Sequence, residues 1–205
     1  MTKQELIEIR GRLGEWCNAR HLTLESQQVG YIGNVLEELT EYARAKTIFD
    51  QVDALCDIIV FSINAIDSQR QILLEKYADH EIKASPERLA KAVLDGIDDG
   101  LILSNYFSNP ICVCINLLRF LGFNPYKCLD ETLKEIESRT GKYDIEIKKF
   151  VKNKGAYSID DFRDRYPELD DYEVIEQGNI FFATKGSDRQ VFAKWYRADY
   201  KRCAL

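Results

Sequence analysis

The chain has 205 residues, 45% of them hydrophobic and 30% charged, an ordinary globular balance that suits one medium domain or a domain with an extension. A net charge of −6 argues against nucleic acid as the main partner, because a polyanion calls for a basic surface. The start, MTKQELIEIRGRLGEW, has no signal-peptide core, and the longest apolar run, ICVCINLLRFLGF, is broken by Asn116 and Arg119 and is too short to span a bilayer, so a cytoplasmic protein without membrane contact is expected.

Helix signals dominate the first 140 residues. TKQE at 2–5 reads as a capping box, with Thr2 as cap and Glu5 reaching back, and opens a helix to about Ala19. Thr23 caps a second helix running to about Lys46, and a third covers about 49 to 78. Ser85 before Pro86 starts a fourth. Asn109-Pro110 breaks the chain before a helix to Phe120. GFNPYKCLDETLKEIESRTG then reads as turn, helix and a stop at Gly141. From 139 to 154 the chain is basic: Arg139, Lys142, Lys148, Lys149, Lys152 and Lys154 face only Asp144 and Glu146. Beyond Gly155 the runs YEVIEQ, NIFFAT and QVFAKWY are rich in β-branched and aromatic residues and are separated by Gly178-Asn179 and KGSD, which predicts a small hairpin or meander. The cysteines Cys17, Cys56, Cys112, Cys114, Cys128 and Cys203 form no CxxC, and reduced, buried thiols are expected.

The second and third helices raise the functional question. With Glu37 at zero and about 100° per residue, Glu41 falls at about 40° and Glu38 at about 100°. Val29, Ile32, Val35, Leu36, Leu39, Tyr42 and Ala43 occupy about 140° to 280°, the expected buried side. On the third helix Asp50, Asp53, Asp57 and Asn64 make one stripe within about 60°, in a helix otherwise apolar on nearly every side. Between Tyr31 and Asp67 seven acids face only Arg44 and Lys46. Carboxylates crowded beside a buried helix are expected to be paired or to coordinate a metal, and an all-oxygen set suits Mg²⁺, with Mn²⁺ as a substitute.

These residues carry a resemblance. EELTE is an EExxE motif, and the following helix supplies its acids in a DxxDxxxD form. The pair resembles the all-α nucleoside triphosphate pyrophosphohydrolase superfamily, which includes MazG, the dimeric dUTPases and phosphoribosyl-ATP pyrophosphohydrolase. The likeness covers residues 10 to 66 and resumes at LLRFLGFNPYKCLDETLKEIESRTGKY. It implies an all-α, MazG-like helical bundle over residues 1–142, with 67–110 as inserted or additional helices. A basic linker and small α/β extension would follow over 143–205. It further implies a homodimer or homotetramer that hydrolyses a nucleoside triphosphate, a (d)NTP such as dUTP, to monophosphate and pyrophosphate with Mg²⁺.

Residue by residue, Glu37, Glu38 and Glu41 match the EExxE element. Asp50 stands where the family usually has Glu, and Asp53 takes the Asp position. A second alignment sets Asp57 and Asn64 on the MazG Asp and Asn and leaves Ala54 where MazG has Glu. The metal set is therefore drawn from Glu37, Glu38, Glu41, Asp50, Asp53 and Asp57, and Glu37 or Glu38 is expected to activate the attacking water. Arg139, Lys142, Lys149 and Lys152 are the candidates for the distal phosphates, Trp16 for stacking on the base, and Asn34 and Asn64 for hydrogen bonds to base or sugar. A rival reading is a helical oligomerisation or interaction scaffold whose acid cluster binds a structural cation.

Overall fold

The computed structural model describes residues 1–67, 80–98, 109–147 and 149–205. Two compact units emerge, one of Met1–Leu133 with Asp199–Leu205 and one of Lys134–Ala198. The division expected at residue 142 thus lies near 133, and the last seven residues belong with the first unit.

The first unit is built from α1 (Lys3–Ala19), α2 (Leu24–Arg44), α3 (Ile48–Ala65), α4 (Pro86–Asp98), α5 (Pro110–Phe120) and most of α6 (Pro125–Ser138). Side-chain caps set the starts. Glu5 N donates to Thr2 Oγ1 at 3.2 Å, and Thr2 N donates to Glu5 Oε2 at 2.6 Å. Ser26 N donates to Thr23 Oγ1, Arg88 N to Ser85 Oγ, and Ile111 N to Asn109 Oδ1. His21 ends α1 with a φ of 54°, where backbone donors turn back to Cys17 and Asn18. The third helix stops at Ala65, with Ile66 and Asp67 beyond it; residues 68–78 of its expected span, and part of the expected insertion, 99–108, lie outside the described residues.

At the centre of this unit stand α3 and α5. Ten of the 18 residues of α3 are buried, and Pro110–Leu118 of α5 are buried without interruption. Asn116, the polar break in that apolar run, donates to His80 O at 3.3 Å and Cys112 O at 2.9 Å and accepts from Ile82 N at 3.2 Å, so a buried amide holds the 80–82 segment. All six cysteines are free thiols, five of them buried.

The roll of α2 differs from the expectation. Its buried residues are Tyr31, Val35 and Tyr42, centred near about 140° from Glu37. Val29 is 82% exposed, Ile32 46% and Leu36 38%, so an apolar ridge faces outward. Packing two tyrosines against the neighbouring helices buries more area than the aliphatic stripe would, and the rotation carries Glu38 onto the shoulder of the buried face.

The second unit begins with the end of α6 and a hairpin of β1 (Gly141–Asp144) and β2 (Lys149–Lys152). A Cβ on Gly141 would lie 2.7 Å from the Phe150 ring, so this glycine makes room for the hairpin's aromatic. Next come β3 (Gly155–Ala156), α7 (Ile159–Arg165, capped by Ser158), β4 (Glu173–Gln177), β5 (Ile180–Lys185) and β6 (Asp188–Lys194). The sheet order is β3-β6-β5-β4, with β3 parallel to β6 and the remaining pairs antiparallel. Gly178 and Gly186 turn the meander at φ near 60°, as primed hairpin turns require. Phe162 of α7 lies under the sheet among Phe181, Phe192 and Tyr166. Arg163 closes the connection below by donating to the carbonyls of Leu169, Asp170 and Tyr172.

The all-α class is therefore corrected. With 59% helix and 17% strand in two sheets, the protein is of mixed α and β class. The residues read as a basic linker are the reason for part of it: lysines flank Tyr143, Phe150 and Val151 and obscure their strand pairing. No helix among the described residues is long and apolar enough to cross a membrane.

Candidate acid site on the second and third helices

The turn from α2 into α3 brings the EExxE acids beside the head of the third helix. Glu38 is half-buried, while Glu37, Glu41 and Asp53 border solvent. Burial pushes the Glu38 carboxyl up to about 7, and the charges of Glu41, Asp53 and Glu37 push it the same way, in that order. Four of the expected metal residues thus share one electrostatic neighbourhood, with Glu38 at its centre.

Asp50 plays another part. Its carboxylate accepts from Thr47 N at 2.9 Å and Lys46 N at 3.2 Å, and its own N–H donates to Thr47 Oγ1, completing the capping box of α3. Those hydrogen bonds hold its carboxyl below the ordinary range. Asp suits this position as a cap, since its short side chain reaches back to the helix start.

Asp53 has a partner that local sequence could not suggest. Tyr200, buried in the returning C-terminal segment, donates its hydroxyl to Asp53 Oδ1 at 2.6 Å, and Thr132 Oγ1 lies 3.0 Å from the same hydroxyl. Burial, the neighbouring Cys56 and Asp53 itself push the phenol far above its usual range, so it stays a donor. The segment is tied down by Asn124 N donating to Cys203 O, Leu205 N to Gly122 O and Asp199 N to Glu131 Oε2. Tyr200 sits 147 residues from Asp53 inside RADYKRCAL, and no spacing links the two.

The other candidates are dispersed. Asp57 is half-buried further along α3. Asn64 lines a different cavity, of about 500 Å³, together with Arg10 and Asp67, and none of Glu37, Glu38, Glu41 or Asp53 lines it. Asn34 is half-buried on α2. The Trp16 ring carries the Arg20 guanidinium 4.3 Å from its centre. In the second unit Arg139 is paired with Glu135 and hydrogen-bonded to Tyr157, a buried arrangement that draws its charge inward. Lys142 lies across from Val151, Lys149 across from Asp144 and Lys152 across from Gly141 in the hairpin ladder.

The donor set tests the fit to a metal. Glu37, Glu38, Glu41 and Asp53 supply hard oxygen ligands and excess negative charge, as a divalent cation requires. Among the described residues, however, no group of three or more His, Cys, Asp or Glu is arranged to hold an ion. Chemistry and charge fit; the oxygens do not converge on one point. No family model, curated protein or solved structure matches the chain, so the resemblance rests on the motif residues themselves.

Proposed function

We propose that the first unit hydrolyses a nucleoside triphosphate, a (d)NTP with dUTP as one candidate, to the monophosphate and pyrophosphate. The observation that carries this reading is Glu38, half-buried in the field of Glu41, Asp53 and Glu37 on the EExxE face. A cluster that raises one carboxyl to about 7 is relieved by a cation and gives a base suited to neutral pH. Glu41, Asp53 and Glu37 are the residues that would hold Mg²⁺, or Mn²⁺ in its place, once their side chains turn toward it, and the cation would then supply neutralisation of phosphate charge.

Glu38 takes a proton from water as the water oxygen bonds to the α-phosphorus. The bridging oxygen between the α- and β-phosphorus leaves with pyrophosphate. Tyr200 keeps Oδ1 of Asp53 fixed. Tyr200→Phe is therefore expected to raise the Mg²⁺ concentration for half-maximal activity about tenfold while leaving the KM for nucleotide at saturating Mg²⁺ close to wild type. A purely structural tyrosine would lower stability without moving the Mg²⁺ dependence.

The deciding experiment is a (d)NTP panel with Mg²⁺ and a pyrophosphate readout. Release that stops with chelator and in Glu41→Gln supports hydrolysis. A folded protein that releases none from any substrate overturns it in favour of a scaffold.

The reading includes a homodimer or homotetramer, and the outward ridge of Val29, Ile32 and Leu36 is the face assigned to it. Light scattering should give at least twice the 23.8 kDa chain mass. A monomer at micromolar concentration removes this part of the proposal.

A further inference from the structure

The second unit contains a cavity of about 1080 Å³ of its own, independent of the acids on α2 and α3. Its charge is one-sided. Lys134, Lys154, Lys194 and Arg197 line it, against Glu137. The unit as a whole is balanced, with 13 Lys and Arg against 13 Asp and Glu over residues 134–198, so the positive charge is concentrated here rather than spread as a track. Lys194 is paired with Glu176.

Two aromatic rings share the lining, Tyr157 and Trp195, 5.5 Å apart and edge to face. Trp195 is held rigidly. Its backbone N–H donates to Ala156 O at 2.8 Å, and its indole nitrogen presses against Gly155, where a Cβ would lie only 2.5 Å away. Arg165 covers the indole at 5.0 Å and is not among the residues that line the cavity. Arg197 lies 4.8 Å over Tyr157. A held π-surface beside exposed cations lets a flat ring stack with little loss of side-chain entropy.

The geometry points to a nucleotide site: a nucleoside phosphate whose base stacks on Trp195 and whose phosphates lie among Lys134, Lys154 and Arg197. Base stacking on an aromatic side chain and cationic pairing of phosphate are both sequence-tolerant, so the class is a mononucleotide without fixed base. The cavity is at the upper end of ligand-pocket sizes, with room for a nucleotide and its water. An excess of basic over acidic side chains in one recess suits the negative charge of a di- or triphosphate. A single strand would call for a continuing basic groove. This inference does not rest on the activity proposed for the first unit.

The test uses the full chain carrying Trp16→Phe, which leaves Trp195 as the one fluorescent indole. ATP and UTP are titrated in chelator, so that Mg²⁺-dependent binding at the acids is silent, with calorimetry as a second readout. Saturable quenching is expected, weakened at least about tenfold in Arg197→Glu and in Lys154→Gln and unchanged in Glu41→Gln. Circular dichroism checks that each variant is folded. No saturable binding overturns the inference, as does binding indifferent to both basic substitutions. Binding of an oligothymidylate with none of ATP or UTP also overturns it, in favour of a single-strand site. If the pyrophosphate assay fails while this binding persists, the first proposal falls alone.

Discussion

Glu38→Gln is expected to abolish pyrophosphate release, with kcat lowered about 10² to 10⁴-fold, while making the protein more stable at pH 8. The two effects have one cause. In the folded chain Glu38 holds its proton up to about 7, against 4.5 ordinarily, because burial and the charges of Glu41, Asp53 and Glu37 oppose ionisation. The folded state therefore binds this proton more tightly than the unfolded state between those values. Stability falls as pH rises through that window, and the full penalty is present above it. The shift corresponds to about 3 kcal/mol at full strength. Glu38 is only half-buried, and solvent screening reduces the gain expected from Gln to about 1 to 2 kcal/mol at pH 8. Below pH 4 the gain should vanish, since both states are then protonated. Thermal melts of the two proteins at pH 4, 6 and 8 measure it. Equal differences at all three values would show that Glu38 is not held in this field. Mg²⁺ should stabilise the wild type at pH 8 more than at pH 6, where protons compete for the same carboxylates.

Phe162→Ala should remove about 3 to 5 kcal/mol and unfold the second unit. The ring is fully buried and meets Phe192 at 4.8 Å, Tyr166 at 5.0 Å and Phe181 at 6.0 Å, so truncation leaves a cavity that rigid rings cannot fill. The unit has only 65 residues, from 134 to 198, and small units hold little stability in reserve. Hydrogen exchange should show β4, β5 and β6 losing protection while α3 keeps its own. Retained protection across the sheet would mean that the cluster is redundant. Phe162→Leu, which keeps most of the volume, should fold.

Much of this architecture could be read from residues. Thr2, Thr23, Ser85 and Asn109 announced helix starts, because a cap is a local chemical event within four positions. The meander was visible for the same reason, in Gly178-Asn179 and Gly186 between short β-rich runs. What escaped was long-range. The wheel of α2 placed Val35 and Tyr42 inward, where they are, but also Val29, Ile32 and Leu36, since apolarity alone cannot tell that Tyr31 is buried in their stead. The hairpin at 141–152 was hidden by its lysines. At the candidate site the EExxE residues and Asp53 share one electrostatic neighbourhood, whereas Asp50 went to a cap and Asn64 to another cavity. Helical spacing fixes a shared face but not a shared height. Tyr200 could not have been found, because its only signal is proximity in space.

The return of Asp199–Leu205 has a consequence for biogenesis. These residues leave the ribosome after the whole second unit, so the hydroxyl that steadies Asp53 arrives only once that unit has been made. Until then the helical body is an open ring, missing one staple. An unfolded stretch of 65 residues would make closure a slow search; the folded unit keeps its own two ends together, with Ala198 N donating to Glu135 Oε2 at 2.8 Å. The inserted unit thus helps to complete its host, whatever it binds.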